Sequence, residues 1–136
     1  MSTADARAGL EEIKPQLVQE TLGGRLYWSS PWIPQGGSST VYLLPGFDEY
    51  LLSYRDRGAS VDPAHATSLS SGGGVLSPTI VADGRVVGTW KRTFKKDSVV
   101  LTVPPFAPLS EARNRALNAA VERYCRFVGM PATVVT

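Results

Sequence analysis

Thr79-Ile80-Val81-Ala82-Asp83-Gly84-Arg85-Val86-Val87-Gly88-Thr89-Trp90 is the stretch that decides the fold. Asp-Gly between two apolar, β-branched runs is a strong short-range hairpin signal, because such a two-residue turn needs positive φ at both central positions. Reading outward gives three β-prone runs, Val75–Ala82, Arg85–Phe94 and Ser98–Val103, joined by Asp83-Gly84 and by a Lys95-Lys96-Asp97 turn. An antiparallel meander is expected. Strand alternation would put Val86, Gly88, Trp90, Arg92 and Phe94 on one face, and Val87, Thr89, Lys91 and Thr93 on the other.

Downstream, Ser110 caps a helix running to about Val128, which Gly129 and Pro131 stop. Its apolar positions Ala116, Leu117, Ala120, Val121, Tyr124, Phe127 and Val128 form one stripe. Glu111–Arg115 and Glu122–Arg126 pair at i,i+4 on the wetter side. Thr133–Thr136 has the character of a returning last strand.

Upstream, Val41–Leu44 reads as a short buried strand broken by Pro45, followed by a helical turn over Glu49–Tyr54 with Asp48 as its cap. Asp62-Pro63 supplies the N-cap and first position of a short helix to about Leu69, and the glycines at 72–74 form a joint after it. Residues 30–40, dense in Pro and Gly, are a loop. Leu17–Leu22 and Arg25–Ser29 flank Gly23-Gly24 and predict a second hairpin. Residues 3–14 predict a short helix, capped near Thr3 or Asp5 and ended by Pro15. The fold class is therefore α+β: a mostly antiparallel, barrel-like curled sheet with one long C-terminal helix and a short N-terminal helix.

The 136 residues suit a single domain, with 43% hydrophobic content, 19% charge and a net charge of +2. That balance is too mild to indicate nucleic acid by itself. One cysteine, Cys125, excludes an internal disulfide and suits a reducing compartment. No run approaches the roughly eighteen apolar residues of a membrane span, so a soluble cytoplasmic protein is expected.

Catalytic and metal-binding patterns are poorly represented. One histidine, His65, and one cysteine supply no ligand-spaced cluster, and neither a Gly-x-Ser-x-Gly elbow nor a Gly-Lys-Ser/Thr phosphate loop is present. His65 reads as a solvated residue and Cys125 as a packing residue. Asp48 and Glu49, adjacent acids, read as a cap and a solvated or arginine-paired residue. Arg55, Asp56 and Arg57 read as charge-assisted ties, with a phosphate contact by either arginine left open. The nucleic-acid candidate is Lys91-Arg92-Thr93-Phe94-Lys95-Lys96 with Arg85 across the hairpin, since a lysine-tipped hairpin can neutralise backbone phosphates. Lysines also protect solvated strand edges, so both readings stand. Trp28, Trp32, Tyr42 and Trp90 read as core aromatics or as a ligand or base-stacking face, and they carry the alternative function, a small-molecule-binding or enzymatic barrel with an aromatic-lined pocket.

Leu43-Leu44-Pro45-Gly46-Phe47-Asp48-Glu49, Tyr54-Arg55-Asp56-Arg57, Asp83–Trp90, Pro105–Leu109 and Tyr124…Gly129 together resemble the winged-helix DNA-binding domain family that includes the AlkZ-like, crosslink-unhooking DNA glycosylases. The likeness covers roughly residues 5–130. It implies tandem winged helices, followed by a C-terminal β-barrel-like domain, around a concave DNA channel. It also implies a Gln-x-Gln or Gln-x-Asp catalytic element in the N-terminal part. Gln16 and Gln19 do not form that element, so no catalytic residue carries over. The expectation is a single domain over residues 1–136 that resembles the C-terminal part, with the winged helices absent. Its expected role is a non-catalytic DNA-associated or partner-binding module, with no cofactor and no metal. DNA and a separately encoded winged-helix protein are its expected partners.

Overall fold

The computed structural model describes residues 2–32, 40–70 and 75–136, which form two compact units, Met1–Gly36 and Gly37–Thr136. The joint expected at residues 72–74 and most of the loop expected at 30–40 lie outside the described residues.

The first unit is built from local interactions. Helix α1 (Thr3–Ile13) is capped by Ser2, whose hydroxyl accepts from the Asp5 N–H while the Asp5 carboxylate accepts from the Ser2 N–H. This reciprocal capping box satisfies two of the donors that a helix start leaves open. Asp5 is thus its third residue, one turn inside the cap. Pro15 does not end the helical geometry at once; a 3-10 turn carries it through Lys14–Gln16. Strands β1 (Val18–Leu22) and β2 (Arg25–Ser29) then pair antiparallel around Gly23 and Gly24, at φ 56° and 76°. The Lys14 ammonium lies 5.2 Å from the Trp28 ring centre. No residue of α1 is buried.

The second unit is organised around strand β4 (Thr79–Ala82), buried at every position. It pairs antiparallel with β3 (Val41–Leu44) on one side and β5 (Arg85–Thr89) on the other. Alternation divides its side chains between two cores. Ile80 and Ala82 join Val41, Trp90, Val99, Leu101 and Val103 beneath Leu117, Ala120 and Val121 of helix α3 (Glu111–Val128). On the opposite face Val81 meets Val86, Leu51 of the short helix α2 (Glu49–Leu52), and Val61 and Leu69 around a 3-10 helix over Pro63–Leu69. Burying side chains of this size contributes about 1.5–3 kcal/mol each, so the doubly covered β4 holds the unit together. Asp48, Asp62 and Ser110 each accept a hydrogen bond at a helix start, from Tyr50, Ala64 and Arg113 N–H respectively. Gly129, at φ 69°, ends α3 in the left-handed conformation that favours glycine.

A barrel is not formed, which corrects the expectation of one curled sheet. Among the described residues the strands make three small sheets, β1-β2, β3-β4-β5 and a third made of β6 (Lys91–Phe94), β7 (Val99–Thr102) and β8 (Ala132–Val135), and none of them closes. The expected run Arg85–Phe94 breaks at Trp90 into β5 and β6, which belong to different sheets. Trp90 enforces the break: its backbone N–H donates to Pro78 O at 3.0 Å and its indole Nε1 donates to Leu44 O at 2.8 Å. The segment after β7 does return along the free edge of β5, with a bridge between Gly88 and Pro105 and a Phe106 N–H to Val87 O bond of 2.8 Å. Pro104 and Pro105 have no N–H to donate, so no continuous ladder joins the two sheets. A Cβ on Gly88 would lie 2.6 Å from Pro104 O, so this close crossing admits glycine alone. The last strand, β8, pairs parallel to β7, where a mostly antiparallel sheet was expected.

Candidate nucleic-acid interface

Strand β6 is an edge strand, antiparallel to β7 with Lys91 opposite Thr102 and Phe94 opposite Val99, and all four of its residues are exposed. Its turn is closed by the Lys95 N–H donating to Ser98 O at 2.8 Å. Lys91, Lys95 and Lys96 are exposed and have no acidic partner among the described residues. An exposed ammonium without an acidic neighbour is available to an anionic partner.

Arg92 differs from the lysines because the fold aims it. Its Nη1 donates to the Tyr124 hydroxyl at 2.8 Å, and its guanidinium lies 5.7 Å from the Phe94 ring centre. Tyr124 in turn packs edge-on against Trp90, with ring centres 5.1 Å apart, and the Trp90 indole is bonded to β3. A relay from buried Trp90 through half-buried Tyr124 therefore orients the exposed Arg92, while its three lysine neighbours have no such contact. Two open cavities flank Trp90. One, of about 330 Å3, reaches Thr89, Lys91 and Thr102; the other, of about 200 Å3, reaches Leu43, Arg92 and Tyr124.

The remaining expected residues are dispersed. Arg85 opens β5 and so stands at the opposite end of that strand from Lys91. Its Nη1 reaches Ala59 O at 3.4 Å, the limit of a hydrogen bond. Arg55 is exposed after α2; Arg57 is half-buried, with an Nε that is buried without a hydrogen-bond partner among the described residues. The four aromatics divide between the units. Trp28, half-buried, and Trp32, 88% exposed, belong to the first; Tyr42, 53% exposed, and Trp90, 6% exposed, belong to the second. His65, expected to be solvated, instead stacks on Phe106 with ring centres 4.4 Å apart. Phe127, expected on the packed stripe of α3, points outward at 86% exposure.

Two arginines of α3 were missed by sequence reasoning. Arg113 Nε and Nη2 reach Asp83 Oδ2 at 3.1 and 3.0 Å, tying the helix to the β4–β5 turn. Arg123 donates to Val41 O at 3.0 Å. A signal existed for the first: a cation in the opening turn of a helix opposes the helix dipole, so it needs a compensating acid nearby. Among the described residues no three His, Cys, Asp or Glu side chains converge as a metal site would require, and no helix is long and apolar enough to cross a membrane.

The description "DNA glycosylase AlkZ-like" belongs to a family whose sequence model matches residues 1–127 of this chain. The interstrand DNA cross-link repair glycosylase of Streptomyces sahachiroi is 33% identical over 91 residues, which are 66% of this chain and 24% of that protein. The solved structure of Streptomyces sahachiroi DNA glycosylase AlkZ superimposes with a TM-score of 0.67 at 25% identity, covering 99% of this chain and 38% of that one. The chain thus spans less than two-fifths of the length of either relative. The chain belongs to the AlkZ-like DNA glycosylase family.

Proposed function

We propose that residues 1–136 form a non-catalytic, DNA-contacting module of a repair protein, working on DNA in the cytoplasm. The observation that carries this is the cationic edge of β6 and its turn, where Lys91, Lys95 and Lys96 are exposed and unpaired beside an aimed Arg92. Phosphate neutralisation needs no sequence readout, and a hairpin edge presents such cations in a row. Arg85, Arg55 and Arg57 are further backbone contacts. Base removal belongs, in this reading, to the part of the relatives' length that has no counterpart in these residues. That part carries the winged helices and the catalytic element, on the same polypeptide or on a separately encoded partner.

Retention on a duplex-DNA column tests the reading directly. Replacing Lys91, Arg92, Lys95 and Lys96 together by glutamine should lower the slope of log affinity against log salt by roughly 3–4, since each phosphate contact contributes about 0.9. A slope unchanged in this variant overturns the assignment.

A further inference from the structure

A third cavity, of about 220 Å3, opens at the start of β5, away from the β6 edge. Arg85 of β5 and Arg113 of α3 line it, together with His65 and Phe106, whose rings are stacked on each other. One acid, Asp62, also lines it, and Asp83 stands behind Arg113. Asp83 holds Arg113 and accepts from Thr40 N–H at 3.1 Å, while Asp62 accepts from Ala64 N–H at 2.9 Å as a helix cap. Arg85 has no carboxylate partner among the described residues and only the long contact to Ala59 O, which leaves most of its five donors open. A guanidinium without a carboxylate partner suits bidentate phosphate recognition, and the half-buried His65–Phe106 pair, where it reaches the cavity, offers a base an aromatic surface.

We propose that this cavity binds one nucleoside monophosphate unit, with its phosphate on Arg85 and the open edge of Arg113 and its base against the His65–Phe106 pair. The volume lies below the ~300–1,000 Å3 usual for sites that enclose a whole ligand, so a single unit sits partly in solvent and a dinucleotide is not accommodated. The unit has two sources, a free mononucleotide or the unpaired 5′-phosphorylated end of a DNA strand. Only the second source rests on the DNA-contacting function proposed above.

His65 is the only histidine in the chain, so its imidazole proton signals report on this site without assignment. Titration with deoxyadenosine monophosphate should shift those signals, and Arg85→Gln, at an exposed position, should weaken the binding at least tenfold. Lys95→Gln/Lys96→Gln, which tests the β6 edge, should leave this titration unchanged while reducing retention on duplex DNA. A 5′-phosphorylated single-stranded decamer that shifts His65 when its unphosphorylated counterpart does not identifies the strand end as the source, provided the shift is lost in Arg85→Gln. A shift by the free mononucleotide when neither decamer produces one identifies the free ligand. If neither probe moves the His65 signals, or if Arg85→Gln binds them as the native chain does, the proposal is overturned, whatever the outcome on duplex DNA.

Discussion

The β1–β2 and β4–β5 hairpins have the same turn and opposite surroundings. Both turn through two residues at positive φ, 56° and 76° at Gly23-Gly24 and 50° and 77° at Asp83-Gly84. In the first, β2 exposes three of its five residues and none is buried; in the second, β4 is buried throughout. Turn chemistry selects a hairpin in either setting, because it acts over four residues. What the hairpin is worth depends on what covers it, and a two-stranded ribbon without a covered face is marginal in water. The comparison separates an instruction to form from a reason to persist.

The sharpest way to break it is to truncate equivalent apolar residues. Ile80→Ala in β4 should cost about 2–5 kcal/mol in urea unfolding, because the fully buried side chain leaves a cavity between β4 and α3. Leu26→Ala in β2, at a position 51% exposed, should cost less than about 0.5 kcal/mol. Comparable losses at the two sites would sink the contrast. Glycine replacements sharpen it further. Gly88→Ala drives a Cβ into Pro104 O and Pro105 Cα and should cost about 1–3 kcal/mol, as overpacking does. Gly24→Ala meets open space and pays only for its left-handed backbone, about 1–2 kcal/mol. Amide exchange should localise the first loss to the β5 crossing and the second to the β1–β2 turn. The smallest effect is a matter of pH. The Ser2 N–H, and after it the Ser2 hydroxyl, hold the Asp5 carboxyl below its ordinary range. A depressed acid stabilises the folded form above its unfolded pKa, and that support is lost as pH falls through the folded value. Amides in the first turn of α1 should therefore exchange faster, relative to those of α3, once the pH drops below about 4.

Features fixed by neighbours in the chain were legible in the sequence: both hairpins, the caps at Asp48, Asp62 and Ser110, and the glycine stop at 129. Features fixed by distant partners were not. The break at Trp90 depends on Pro78 and Leu44 accepting its two donors, and the open sheet depends on where Pro104-Pro105 meets β5. Periodicity could not show that β8 would run parallel, because alternation looks alike in either direction. The same division holds at the candidate interface. The exposure of Lys91, Lys95 and Lys96 follows from a strand edge read locally, whereas the separation of Arg85 from them and its company with Arg113 and His65 arise only from packing.

The parallel pairing of β7 with β8 has a consequence for the order of assembly. β7 leaves the ribosome before α3, and β8 follows α3, so the backbone donors of Val99 and Val103 wait for Pro131 and Val135 to emerge. Until then the β8-facing edge of β7 is open, and its apolar Val99-Val100-Leu101 run can template pairing with other molecules. Synthesis that slows within α3 should therefore lengthen the interval in which the chain can associate wrongly, and a growing chain halted there would be the species most in need of a chaperone.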